Sequence, residues 1–578
     1  MDDPGKWVLH VRLTIEAESK FVPASSEWFV LVDQDYPQGR ITFYPAKQSL
    51  CATFQHQIYN APGRDDRPWR PGNLCLTTTL NGMMRGVARQ EPMDMHSRLH
   101  WHFERAMDWL RLAALGELVR PGDPFELPHF HVVPDSRLVI VFSEDPESYS
   151  VWSSTPDMAG IVHLFPLPGK IEGYFVKSML TIQGKDLYTP SWGQHMLGST
   201  DGLHTSIWIR LDDVPVLPPW QAPATWGELR DACRSKGIDL NNRLRAGLAK
   251  IRDGKPHLAL LGFPIPFRIG ESPKQLHWQA LFLPTVSCGT KTADGFRSKE
   301  PGYWQRDITE VLGSSVRIAW LESQNWHSEQ ISARGRAPKP VRDKTVLVIG
   351  AGALGSVVAE LLVRTGVHKA VIIDGDVLEI GNLVRHPLGM DDIQSSKAKG
   401  VARRLSRASP HATVTSIDSP FPPADNDARL LIEQCDVILD ATASEELPLK
   451  LCQYPWPGSK LFISISLGYQ ARRLFCFASY GITFAYSDFV ESLTPWLEAE
   501  ARDYSDDDFP WEGVGCWHPV FPARVDDIWM LASVATKHLI ELMAQDLPVQ
   551  SHLTVFEQQM DNGTFVGVRM MMSAERNE

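Results

Sequence analysis

The clearest alternation of apolar and polar positions lies in the last two-fifths of the chain. From Lys344 onward, short apolar runs alternate with helical stretches, the pattern of a parallel α/β fold that runs to about residue 545. Its first run, Val346–Ile349, ends in Gly350, Gly352 and Gly355 and leads into a helical pattern. A second run, Ala370–Ile373, ends in Asp374. Nearer the N-terminus, strand-like segments over Trp7–Ile15, Trp28–Val32 and Arg40–Tyr44 precede a long helical run, Arg98–Leu118. There Leu99, Phe103, Met107, Leu110 and Ala114 recur at three- and four-residue spacing, which predicts an amphipathic helix with these residues on its apolar face. Gly116 and the run Arg120-Pro121-Gly122-Asp123-Pro124 predict its end. The region 151–335 mixes short strands with one predicted helix, Thr225–Arg252, and is Pro-rich around Val214–Trp220. The basic, Pro-containing stretch Ala333–Arg342 reads as an exposed connection, and Thr554–Phe556 and Phe565–Met570 as edge strands. The expected architecture is α/β throughout. An N-terminal α+β domain (1–150) precedes a mixed α/β middle domain of unassigned role (151–335), and a Rossmann-like doubly wound domain (336–578) follows.

Length supports several domains, since 578 residues exceed what one core sustains. A net charge of −12 without a basic tail argues against a general nucleic-acid binder. No apolar run reaches the ~20 residues of a membrane span. The start, MDDPGKWVLHVRL, lacks the positive and apolar regions of a signal peptide. Eight scattered cysteines suit a reducing compartment, so a cytoplasmic location is expected. No CxxC pair occurs, so no structural zinc is expected.

The glycines and Asp374 carry the chemistry. Gly350 permits a tight turn, Gly352 lets backbone approach a phosphate, and Gly355 lets helix and strand close up, while Asp374 stands where a ribose acceptor is expected. Alone, these would suit an NAD or FAD domain. The polar tail does not: Asp374, Asp376, Leu378, Glu379, Asn382, Leu383 and Arg385 resemble the DxDxVExxNLxRQ signature of the ubiquitin-activating and ThiF/MoeB adenylyltransferases, with Leu378 for Val and His386 for Gln. Lys397 resembles that family's nucleotide-contacting lysine. The resemblance implies ATP and Mg²⁺ as cofactors and adenylation of a protein's C-terminal carboxylate. Gly350, Gly352, Ala353, Gly355, Asp374, Asp376, Asn382, Arg385, Lys397 and Asp440 would then hold the nucleotide. Arg385 and Lys397 would offset the charge that gathers when a carboxylate attacks the α-phosphate. The family's metal-binding Asp aligns with Ala443, which leaves Asp440 or Glu445 as the carboxylate for Mg²⁺.

Two cysteine motifs extend the resemblance. Tyr36-Pro37, His56-Gln-Ile-Tyr59-Asn60 and Gly72-Asn-Leu74-Cys75-Leu76 resemble the ubiquitin-conjugating fold, which implies Cys75 as acyl carrier and Asn60, or alternatively His56, as oxyanion stabiliser. The family's His-Pro-Asn reads His-Gln here, and the insertion Pro62–Pro71 lengthens the approach to Cys75. Without that resemblance, Cys75 between two leucines reads as a buried small hydrophobe. Gly513-Val-Gly515-Cys516-Trp517-His518-Pro519-Val520-Phe521-Pro522 resembles the cysteine loop of ThiF-like enzymes fused to conjugating domains. The two together resemble the fused conjugation enzymes of bacterial antiphage (CBASS) operons and of related ubiquitination-like operons. That implies activation of a ubiquitin-like protein or of a cGAS-like nucleotidyltransferase C-terminus, thioester transfer through Cys516 and Cys75, and a target lysine as acceptor. It also implies a homodimer in which an arginine, Arg334 or Arg336, crosses between sites, and no nucleic-acid or membrane partner. Sulfur-carrier activation of the ThiF type and an inactive scaffold are the alternatives.

Overall fold

A computed structural model describes residues 5–76, 91–132, 137–198, 202–289, 295–297, 299–503, 510–512, 518–519, 521–545 and 549–571. The chain forms two compact units, Met1–Pro190 with Asp201–His327, and Ser191–Thr200 with Ser328–Glu578.

The first unit opens with an antiparallel three-stranded sheet, Lys6–Thr14, Ser25–Asp33 and Ile41–Pro45, close to the strands the sequence predicts. Its inward residues, Trp28, Val30, Val32 and Phe43, pack on the helix Arg98–Leu115, which ends at Gly116 in the left-handed conformation at φ 72°. The helix is turned relative to expectation. Its buried face is Arg98, His102, Ala106, Trp109, Leu110 and Ala113, whereas Leu99, Phe103 and Ala114 lie at the margin and Met107 is exposed. The cause is Arg98, whose guanidinium donates to the carbonyls of Pro37, Gln38 and Gly39 and to Glu91 Oε1, which also meets His102 Nε2 at 2.9 Å. A buried charge must be paired, and this network fixes the rotation of the helix over the Tyr36–Gly39 turn.

The same unit holds a nine-stranded mixed sheet. Its order is Ala319–Trp320, Gln275–Leu283, His257–Ile265, His204–Arg210, Ala159–Pro166, Gly173–Thr181, Val139–Phe142 and Glu322–Asn325, with Asp186–Tyr188 beside Gly173–Thr181. Residue 150 lies inside a helix, Pro146–Ser154, capped by Asp145. The single helix predicted over Thr225–Arg252 is two, Trp226–Arg234 and Leu240–Leu248. Gly237 breaks it at φ 72°, a conformation only glycine adopts without strain, and Asp239 caps the second helix. Trp152, Trp208 and Trp278 cluster on the other face, where Trp152 and Trp278 donate to the buried carboxylate of Glu144.

The second unit is an eight-stranded sheet ordered Thr413–Ile417, Lys369–Ile373, Thr345–Ile349, Val437–Asp440, Lys460–Leu467, Arg473–Gly481, His552–Asp561, Thr564–Met571. The first five strands are parallel and the last three antiparallel, so the parallel pattern ends earlier than the sequence predicts. Of the two segments expected as edge strands, His552–Asp561 is internal and Thr564–Met571 lies at the edge. Helices Ala353–Arg364 and Val525–Ala544 share one core. The stretch expected as an exposed connection contributes Ala337 and Val341 to that core, anchored by the short helix Lys339–Arg342. The segment Ser191–Thr200 joins this unit through Trp192, which stacks on His411 at 5.3 Å, and through bonds from Gly193 N to Pro410 O and Gln194 N to Ala412 O.

Candidate active site

The strand order places a crevice at the carboxyl end of Thr345–Ile349, where neighbouring connections leave to opposite sides. Gly350 follows that strand at φ 95°, and a side chain there would meet Thr442 and Ala441 within about 3 Å. Gly355 abuts the Gly350 carbonyl, which a Cβ would approach to 2.1 Å, so the helix beginning at Ala353 starts hard against the loop. Gly352 caps that helix and faces open space. A cavity of about 290 Å³ lies over this helix N-terminus and is lined by Gly352, Ala353, Asn382, Arg385, Lys397 and Ala443. The structure thus gathers five of the predicted residues, Gly352, Ala353, Asn382, Arg385 and Lys397, around one opening with two cationic side chains and a helix N-terminus, a setting suited to phosphate.

The remaining predicted residues shape the loop. Asp374 Oδ2 accepts from Ala351 N at 2.6 Å and Oδ1 from Asp376 N at 2.7 Å. Asp376 is exposed and lies 3.2 Å from Lys397 Nζ. Asn382 Oδ1 accepts from Glu379 N, and Arg385 donates to the Phe521 carbonyl at 2.7 Å. Asp440 lies beneath the cavity: Oδ1 accepts from Thr442 N and Oγ1, Oδ2 accepts from Ser464 Oγ, and burial pushes its pKa up from the ordinary carboxylate value. Asp440 does not fit as a magnesium ligand, because both its oxygens are engaged in the interior, and Ala443 offers no ligand. Glu445 is exposed. Among the described residues no group of three or more His, Cys, Asp or Glu side chains is arranged to hold a metal.

His386, noted in the sequence only as a departure, is central here. Its ring is buried, Nδ1 accepts from Leu388 N at 3.2 Å, and Nε2 lies 2.7 Å from Ala351 O. A nitrogen that accepts a backbone N–H carries no proton, so the ring is the neutral Nε2–H tautomer. Burial holds it below the usual histidine range. The Ala351 peptide is therefore clamped at both ends, by Asp374 at its N–H and by His386 at its carbonyl. Phe521, from the motif that carries Cys516, also lines the cavity, as does Ser466, which carries no recognisable motif.

In the first unit, Cys75 is exposed while Leu74 and Leu76 are buried, which excludes the buried-hydrophobe alternative. Gln57 pairs with Leu74 in an antiparallel bridge, and Cys75 N donates to His56 O at 2.8 Å. Asn60 is buried, and its side chain donates to Leu50 O and Ala52 O and accepts from Arg70 Nε. These bonds brace the loop. His56 is exposed, at φ 55°, and pairs with Glu126. Cys516 lies outside the described residues. Arg336 pairs with Glu329 and Arg334 is exposed. Cys233, Cys435 and Cys476 are buried, and burial pushes the first two thiols up to about 12. Among the described residues no helix is long and apolar enough to cross a membrane.

Glycine loop, switch-point crevice and polar tail define a Rossmann-type nucleotide domain, and residues 327–467 match the ThiF family. Residues 116–326 match the Cap2 central linker domain. The chain is 36% identical over 560 residues, 94% of its length and 90% of the relative's, to the ATP-dependent ubiquitin transferase-like protein Cap2 of Enterobacter hormaechei subsp. hoffmannii, and it belongs to that family. It is 33% identical over 132 residues, 22% of this chain and 23% of the relative, to the Cap2 of Pseudomonas aeruginosa. It is also 34% identical over 86 residues, 15% of this chain and 22% of the relative, to ubiquitin-like modifier-activating enzyme 5 of Drosophila persimilis. The solved structure of E. coli MccB with AMPCPP and MccA aligns at TM-score 0.28 and 15% identity over 40% of this chain and 64% of that one, a likeness too low to carry argument.

Proposed function

We propose that this chain activates a partner protein's C-terminal carboxylate with ATP and passes it through two cysteines to a target amine. The reading rests most on one observation: 36% identity over 94% of the chain to an ATP-dependent ubiquitin transferase-like protein, in a chain whose Gly352, Asn382, Arg385 and Lys397 line one cavity. ATP fits that cavity, with its phosphates at the helix N-terminus and the two cations beside them. The partner's carboxylate would attack the α-phosphate, with pyrophosphate as leaving group, to give an acyl-adenylate. Cys516 would take the acyl group as a thioester, and Phe521, five residues downstream, lines the cavity. Cys75 would receive it by thiol exchange, and a lysine amine would complete conjugation.

The activated partner is a ubiquitin-like protein or a cGAS-like nucleotidyltransferase, the setting antiphage defence in the cytoplasm, and the working form a homodimer with Arg334 or Arg336 crossing between sites. The test is a non-reducing gel after incubation with ATP and the product of the neighbouring gene. A thiol-sensitive adduct is expected, lost in the double variant Cys516→Ala/Cys75→Ala. An adduct that survives the double variant excludes the mechanism. Conjugation that survives Cys75→Ala alone excludes the conjugating role.

Ala443 and the interior setting of Asp440 favour a second reading, a nucleotide-binding scaffold without turnover. Pyrophosphate exchange into ATP that depends on the partner's C-terminus excludes it.

A further inference from the structure

Cys75 does not stand alone on its face. The bridge between Gln57 and Leu74 sets an antiparallel register in which His56 and Cys75 are directly opposite. Gln57 and Leu74 are buried, whereas His56 and Cys75, joined by the bond from Cys75 N to His56 O at 2.8 Å, are both exposed. Glu126, from the extended segment after the long helix, completes the group. Both its oxygens lie 3.0 Å from His56 N, and Oε2 lies 3.0 Å from His56 Nδ1. Its segment is itself fixed, since Phe125 N donates to Phe267 O and Gly122 N to Ile269 O on the nine-stranded sheet's side. His56 holds a left-handed φ of 55°, a conformation that strains a side-chain-bearing residue. The bond from its N–H to Glu126 offsets that strain.

We infer that Glu126, His56 and Cys75 form a carboxylate–imidazole–thiol relay, in which His56 is the proton acceptor at the conjugating cysteine and Glu126 is its positioning residue. The inference rests on the reading of Cys75 as acyl carrier. Glu126 occupies Nδ1 and so leaves Nε2 as the nitrogen that would serve the reacting sulfur, the arrangement that orients an imidazole base. In thiol exchange, the Cys75 S–H proton passes to Nε2 as sulfur bonds to the incoming acyl carbon. The carbon–sulfur bond to the donor breaks, and the donor thiolate takes the proton. In the final transfer, the amine nitrogen bonds to that carbon and yields its proton to Nε2. The bond to Cys75 breaks, and its thiolate recovers the proton. The charged groups that act on His56 are Glu126 and Asp123, both acidic, and Glu126 most of all raises its basicity.

The test uses the full-length protein and iodoacetamide, with Cys75 alkylation followed by peptide mass spectrometry from mildly acidic to strongly alkaline pH. Near neutrality, Glu126→Gln and His56→Ala should slow alkylation about tenfold or more, with Glu126→Asp close to the parent. The differences should vanish well above the ordinary thiol pKa of about 8.5, where hydroxide removes the proton. Rates unchanged in Glu126→Gln, or lowered equally at every pH as a change in access would do, overturn the relay. Coupling without any ATP-dependent thioester on Cys75 sinks the acyl-carrier reading and leaves the relay standing, and a thioester without coupling does the reverse.

Discussion

His386, which also lines the cavity, shows how one side chain can hold a binding loop. Its Nε2–H and Nδ1 serve as donor and acceptor at fixed spacing, between Ala351 O and Leu388 N. A glutamine amide presents the same pair, so His386→Gln should keep nucleotide affinity. His386→Leu leaves a buried carbonyl and N–H unserved, at about 1–3 kcal/mol, and should weaken ATP binding by roughly 5- to 150-fold in calorimetry. A second single-residue effect concerns Glu144. Burial pushes its carboxyl up to about 8, so it is protonated in the folded protein near neutrality. Between 4.5 and about 8 the unfolded chain has released that proton and the native one has not. Stability of the first unit should therefore fall as pH rises through this window, by on the order of a few kcal/mol. Glu144→Gln keeps an acceptor for the Trp152 and Trp278 indoles and a donor toward Ser148. Urea unfolding of that variant should show the slope gone. An unchanged slope would mean that Glu144 is ionised in the fold.

At the scale of elements, the glycine loop depends on how tightly strand and helix meet. Gly355→Ala places a methyl group against the Gly350 carbonyl, so the helix must move, at about 1–3 kcal/mol. The second unit's unfolding midpoint should drop, and nucleotide binding should fall more than that loss of stability explains, because Gly352 rides on the same helix. This element was legible in the sequence: an apolar run, three spaced glycines and a polar tail depend on local backbone needs that residue types record directly. The long N-terminal helix was legible in extent but not in rotation. Periodicity counts Arg98 and His102 as polar, whereas Glu91 and three carbonyls pair with them and bury them. The split at Gly237 is visible only when one glycine is given more weight than the helical pattern around it. Glu126 left no trace in the sequence, because its meaning comes from a neighbour 70 residues away.

At the scale of the whole molecule, the two compact units are not consecutive stretches of chain. Ser191–Thr200 belongs with the nucleotide-binding unit although the residues on either side of it in sequence belong to the other. Trp192 is 6% exposed against His411, so Trp192→Ala should cost the second unit about 3 kcal/mol, although this tryptophan lies well outside the stretch that matches the ThiF family. Two-wavelength melting of the intact protein, with nucleotide added to mark the second unit, would locate the loss. A fall confined to the first unit would refute the assignment. A glycine is also required at position 193, where any side chain would strike the Ala412 backbone at about 2.4 Å.

That borrowed segment bears on how such a chain can change over time. Recombination at the family border near residue 327 would deliver a nucleotide domain without the ten residues it takes from further upstream. An incoming domain would have to tolerate a foreign tryptophan at its sheet edge or leave its own hydrophobic notch bare. Exchange of partners by swapping whole modules is therefore disfavoured, and the halves of this enzyme are expected to share one ancestry, changing by point substitution in step.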